Sequence, residues 1–181
     1  MRQGIEPEVI PIVQVENLRR WFESYQERQH DLDSNYERLE RLESKLTSPR
    51  SAALSGLPGA AATDPDRLAF PLAELETLRE ECKIQVEALR DLRHRLEMAI
   101  KLIDGPGWPD QRAVLRLRYV DGERWEIIAR LLFWRDPDFQ TKQDSYIRRV
   151  FKIRKAALRA LAKNPRIHEF IHEEEENNES E

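Results

Sequence analysis

The residues whose types and spacing can do chemistry in this chain are cations. Residues 145–168 carry eight Lys or Arg (Arg148, Arg149, Lys152, Arg154, Lys155, Arg159, Lys163 and Arg166) and no Asp or Glu. Placed at about 100° per residue, residues 146–161 separate into two faces. Tyr146, Ile147, Val150, Phe151, Ile153, Ala157, Leu158 and Leu161 cover one side, and Arg148, Lys152, Lys155 and Arg159 cover the other. Arg154 intrudes on the apolar side. Such a helix packs on a small core and offers a cationic ridge to phosphates. A merely solvated helix usually interleaves acids at i,i+4, and this stretch has none. Lys142, Gln143, Ser145, Arg148, Arg149, Lys152, Lys155 and Arg159 are therefore the candidate contacts to double-stranded DNA. Arg148 and Arg149 lie near the helix start, where base edges are read. Lys155 and Arg159 lie further along and suit phosphates.

The elements that must position this helix lie just before it. Gly105 to Pro109 (GPGWP) ends one helix and starts another, with Ala113, Val114, Leu117 and Val120 at helical spacing and Tyr119 beside them. Asp121 and Gly122 supply a turn, Gly being suited to the left-handed position. A second short helix runs from about Arg124 to Leu132, with Trp125, Ile128, Ala129 and Leu132 inward. Residues 133–139 (FWRDPDF) break it, Thr141 and Asp144 resemble a capping box at the entrance of the basic helix, and Asn164 with Pro165 closes that helix. Trp125 and Tyr119 sit among aliphatics and are read as core rather than as base-stacking groups.

Charge is segregated along the chain. The net charge is −4 over 181 residues. Residues 105–172 hold 15 cations against 8 acids, whereas residues 1–46 hold 7 against 10 and residues 68–104 hold 6 against 8. Residues 173–181 add six Glu. One anion-binding module thus follows helices with another task. Cys82 stands alone, which excludes an intramolecular disulfide and a thiolate zinc cluster. His168 and His172 share an i,i+4 spacing without a flanking metalloprotease pattern and are read as solvated surface. No phosphate loop, acid pair or nucleophile signature is present, so neither enzyme activity, cofactor nor metal is expected. No signal peptide or membrane-length apolar run is present either, and a cytoplasmic location follows as the expectation.

The first hundred residues carry two seven-residue periodicities. Leu18, Tyr25, Leu32, Leu39 and Leu46 form one row, with Trp21 and Leu42 at the alternate position and Arg28 and Asn35 interrupting it. Leu75, Cys82, Leu89, Leu96 and Ile103 form the second, with Leu78, Leu92 and Ala99 between them and Gln85 as the polar break. These are coiled-coil seams. The expected fold is all-α. An N-terminal tail (1–10) precedes a long antiparallel coiled-coil hairpin (11–104, helices about 11–46 and 71–104, linker 47–70). A three-helix helix-turn-helix domain (105–168) and an acidic tail (169–181) follow. Trp21, Phe22, Tyr25, Ile84, Ile100 and Leu102 spread apolar surface beyond a narrow stripe, which suggests homo-oligomerisation through the hairpin.

Residues 115–132 (LRLRYVDGERWEIIARLL) resemble the start of region four of bacterial sigma factors, "L-R-Y-x-x-G-x-S-W-x-E-I-A". Residues 157–161 (ALRAL) are similar to its closing "A-L-x-x-L". Over about residues 15–163 the chain is similar to a phage- and prophage-encoded, sigma-region-four-like family of unknown function, whose "S-x-L-S-G-x-P" linker residues 51–58 (SAALSGLP) resemble. The resemblance implies a regulator of transcription in a bacterial host cell, one that meets RNA polymerase through its acidic hairpin. The usual short turn "L-G-Y-S" is replaced by the longer residues 132–141. Two alternatives stand beside this reading: a small-terminase-like DNA-packaging adaptor, and a helical module that binds protein rather than DNA.

Overall fold

The computed structural model describes residues 12–47, 66–167 and 170–171. It is all-helical among these residues. Helices α1 (Ile12–Thr47) and α2 (Asp66–Lys101) form a long antiparallel pair. Three shorter packed helices follow: α3 (Trp108–Leu115), α4 (Trp125–Phe133) and α5 (Gln143–Ala162). At 36 residues each, α1 and α2 are about 54 Å long. No described helix is long and apolar enough to cross a membrane. The linker motif at residues 51–58, the pair His168 and His172, and the acidic residues 173–181 lie outside the described residues.

The second long helix begins five residues earlier than the sequence reading placed it, with Pro71 inside rather than at its start. A proline this close to the N-terminus removes one backbone hydrogen bond, and a turn of helix can precede it. The helix also ends at Lys101 rather than at residue 104, and Gly105 and Gly107 take positive φ in the connection to α3.

Residues 28–90 form one compact unit, and the rest of the described chain forms another. Within residues 28–90 the seam contains Leu32, Leu75, Leu78, Cys82 and Leu89, all buried, while Leu39, Leu42 and Leu46 are half-buried. Two of the three polar interruptions, Asn35 and Gln85, meet each other here. Asn35 Nδ2 donates to Gln85 Oε1 at 3.0 Å, so neither amide faces aliphatic side chains alone. Ion pairs of Arg38 with Glu74 and of Arg79 with Glu43 flank the seam. They are exposed and add little stability. Asn35→Ala is expected to cost about 1 kcal/mol, because Gln85 is left part-buried without its partner, whereas Asn35→Leu with Gln85→Leu is expected to be neutral or stabilising. Denaturant titration checks this, and equal losses in both variants would show that the loss does not come from a stranded Gln85 amide.

The other unit is larger than residues 105–168, because residues 12–27 and 91–101 belong to it. Leu18, Trp21, Phe22 and Tyr25 from α1 and Leu92, Leu96, Ala99 and Ile100 from α2 are buried there. The Phe22 ring lies 5.2 Å from both Trp21 and Tyr119. Gln26 Nε2 donates to the Tyr119 carbonyl at 2.9 Å. Burial pushes the Tyr119 phenol up, partly opposed by the nearby Arg154 cation. Of the six residues that suggested surface for self-association, Trp21, Phe22, Tyr25 and Ile100 are thus interior, Leu102 is half-buried and Ile84 is 61% exposed.

One local feature departs from the sequence reading. Residues Arg116–Val120 continue α3 as a π-helical turn, with Asp121 N–H donating to the Arg116 carbonyl at 3.0 Å. The widened turn precedes Gly122, which takes φ +72°, and a Cβ there would lie 2.9 Å from Gln26 Oε1. Glycine answers both demands at once.

Candidate nucleic-acid interface

The core beneath α5 fixes its rotation. Val114 from α3, Ile128, Ala129 and Phe133 from α4, Phe139 from the following turn and Val150 from α5 form one buried cluster, edged by Leu117, Trp125, Leu132, Tyr146, Ile147 and Ile153. Ala157, Leu158, Leu161 and Ala162 are buried further along α5. The apolar face of α5 therefore points inward much as its periodicity predicts, with one exception. Phe151 is 38% exposed, and its ring leans on Trp125 at 4.8 Å.

The opposite face carries the cations. Arg148, Lys152, Lys155 and Arg159 are all exposed, and none makes an ion pair with another described residue. Their spacing places them within about 60° of arc over roughly 16 Å of helix. Arg154, which intrudes on the apolar side of the wheel, is only half-exposed. Its guanidinium lies over Trp125 at 5.3 Å and over Phe151 at 5.6 Å, a packing role that uses its stem and its charge together. Arg118 covers Trp125 as well, at 4.7 Å. Tyr119 is fully buried and Trp125 is half-buried, so neither ring offers a free stacking face.

The remaining predicted contacts gather at the start of α5, where the lengthened turn acts on them. Gln143 and Ser145 are exposed in the first turn. Lys142 Nζ lies 2.8 Å from Asp138 Oδ2, and Arg149 NH1 lies 3.9 Å from Asp136 Oδ2 with its guanidinium 4.4 Å over the Phe133 ring. Asp138 also accepts a hydrogen bond from the Tyr146 hydroxyl through its other oxygen. Lys142 and Tyr146 together hold the Asp138 carboxyl below its ordinary range; the same carboxylate raises the Lys142 ammonium and the Tyr146 phenol. Two of the eight predicted contacts are therefore already engaged within the chain.

The expected capping box does not form. Lys142 occupies the N-cap with no side-chain cap, and the Thr141 hydroxyl donates to the Asp138 carbonyl at 3.0 Å. The turn explains why. Backbone bonds Phe139 N–H to Asp136 O, Thr141 N–H to Asp138 O and Lys142 N–H to Asp138 O coil residues 136–142 tightly, which commits Thr141 to its own turn. The Phe133 and Phe139 rings each lie 5.3 Å from Tyr146 and pin both ends of that turn to the core.

Sequence reasoning treated residues 133–139 as a break and missed Asp136 and Asp138 as partners. The i,i+4 spacing of Asp138 and Lys142, acid before base, was a legible signal for one of them. It also missed the exposed Leu131 and Trp134, the latter 61% exposed with Arg135 5.1 Å from its ring centroid. Among the described residues no group of three or more His, Cys, Asp or Glu could hold a metal ion. Comparison of the chain with protein-family models, curated proteins and solved structures finds no match.

Proposed function

We propose that the chain is a DNA-binding helix-turn-helix protein, with α4 as the supporting helix and α5 as the recognition helix. The single observation that carries this reading is the row Arg148, Lys152, Lys155 and Arg159, exposed and unengaged by any described acid on a 20-residue helix. Duplex DNA is the polyanion that a rigid cationic helix on a three-helix core fits best, because the major groove admits one α-helix. The sigma-region-four resemblance supports reading it as a phage or prophage transcription regulator that works without catalysis or cofactor, in the bacterial cytoplasm and in contact with RNA polymerase. The packaging alternative requires a ring of subunits. Four of the six apolar residues that suggested self-association are interior to one chain, which supports the transcription reading.

A competition binding assay tests where α5 reads and where it holds. Arg148 lies in the second turn of α5 and has no described acid partner, whereas its neighbour Arg149 is paired with Asp136. An arginine that bonds a guanine edge through two donors is worth about 1–3 kcal/mol of discrimination, while phosphate contacts carry no preference. Arg148→Ala is expected to weaken binding to a site selected from source-genome DNA more than binding to random DNA. Lys155→Ala with Arg159→Ala is expected to weaken both alike. An equal loss for both DNAs in Arg148→Ala would make Arg148 a phosphate clamp and overturn the proposed placement of the start of α5 at the base edges.

A further inference from the structure

The face of α5 that no described acid engages has a second polyanion within reach in its own chain. Residues 173–181 carry six Glu and no Lys or Arg, whereas residues 145–168 carry eight cations and no acid. The chain is pinned between these two stretches. Ile167 is buried, its N–H donates to the Asn164 carbonyl at 3.0 Å, and the Asn164 amide lies against the Leu102 carbonyl. The acidic stretch therefore starts only six residues after an anchor that itself follows α5 by five residues. Nine extended residues span up to about 30 Å, nearly twice the roughly 16 Å from Arg148 to Arg159. Four acids of the tail can meet the four cations of the row in one extended pass.

We infer that residues 173–181 dock on the Arg148, Lys152, Lys155 and Arg159 face of α5 and occlude it until a stronger polyanion displaces them. Tethering supplies the strength that a short acidic peptide lacks in solution. A short linker gives an effective concentration in the millimolar range, which suffices for a weak electrostatic contact at low salt and not at high salt. The docking stands on charge and reach alone, whereas its role as a brake on DNA binding rests on the function proposed above. Under that function the tail lowers apparent DNA affinity by the fraction of chains it keeps closed. Inhibition fades as salt rises, so the intact chain shows a shallower salt dependence than the chain without its tail.

Carbodiimide cross-linking of the full chain, read by mass spectrometry, tests the docking without DNA. The expected result is isopeptide links from Glu173, Glu174, Glu175 or Glu176 to Lys152 or Lys155 at about 50 mM salt. The links should fade at about 500 mM and disappear in Lys152→Arg with Lys155→Arg, which keeps the charge. Absence of those links at low salt would overturn the docking. In the binding arm, removing residues 173–181 or changing their six Glu to Gln is expected to tighten duplex-DNA binding about 3- to 10-fold at low salt. Unchanged affinity with the links present would overturn the brake and leave the contact. No DNA binding by either form would overturn the proposed function, with the docking still decided by the cross-links.

Discussion

Replacing Arg148, Lys152, Lys155 and Arg159 together with Ala is expected to abolish duplex-DNA binding while leaving the fold intact. All four side chains are exposed and hold no described partner, so no buried group is stranded by their loss. Alanine is the strongest helix former, and the substituted helix keeps its inward face of Val150, Ala157, Leu158 and Leu161. Each phosphate contact contributes about −0.9 to the slope of log K against log salt, so four lost contacts flatten it by about 3.6 and lower affinity on the order of a hundredfold or more at low salt. A mobility-shift titration across salt concentrations, paired with a circular-dichroism melt, reads both effects. Wild-type affinity in the quadruple variant would remove α5 from the interface. Partial loss with an unchanged salt slope would mean that cations elsewhere, such as the exposed Arg116, Arg124 and Arg130, make the phosphate contacts.

Phe22→Ala is expected to cost more stability than any surface substitution, although Phe22 lies over eighty residues from α3 in sequence. Phe22 is fully buried, between the rings of Trp21 and Tyr119. Truncating a buried Phe removes its transfer energy and leaves a cavity, at a cost of about 3–5 kcal/mol. A domain has only about 5–15 kcal/mol in all. The variant should melt well below wild type and lose DNA binding at temperatures where wild type retains it. Phe70→Ala is the control, because Phe70 is 85% exposed, and exposed substitutions stay within about 0.5 kcal/mol. Equal melting curves for the two variants would show that the N-terminal part of α1 is not integral to the core that carries α5.

What the sequence by itself determined is local and periodic. The seven-residue rows from Leu18 and from Leu75, the inward face of α5 and the left-handed Gly122 were all legible, because a helix repeats every 3.6 residues and a positive φ selects glycine. The cationic row from Arg148 to Arg159 was legible for the same reason: spacing along one helix fixes which side chains share a face. Only the tertiary structure decided which distant residues meet. Asn35 and Gln85 read as two separate defects, and pairing across the antiparallel helices makes them one hydrogen bond. Phe22 and Tyr119 belonged to different segments on paper, and their contact places the start of α1 in the unit that holds α5. Thr141 and Asp144 carried a capping pattern, yet Phe139 anchors the turn and Asp138 claims Lys142 and Tyr146. Cap chemistry depends on the path by which the chain enters a helix, and here that path is set by burial of two phenylalanines rather than by the residues that would have formed the cap.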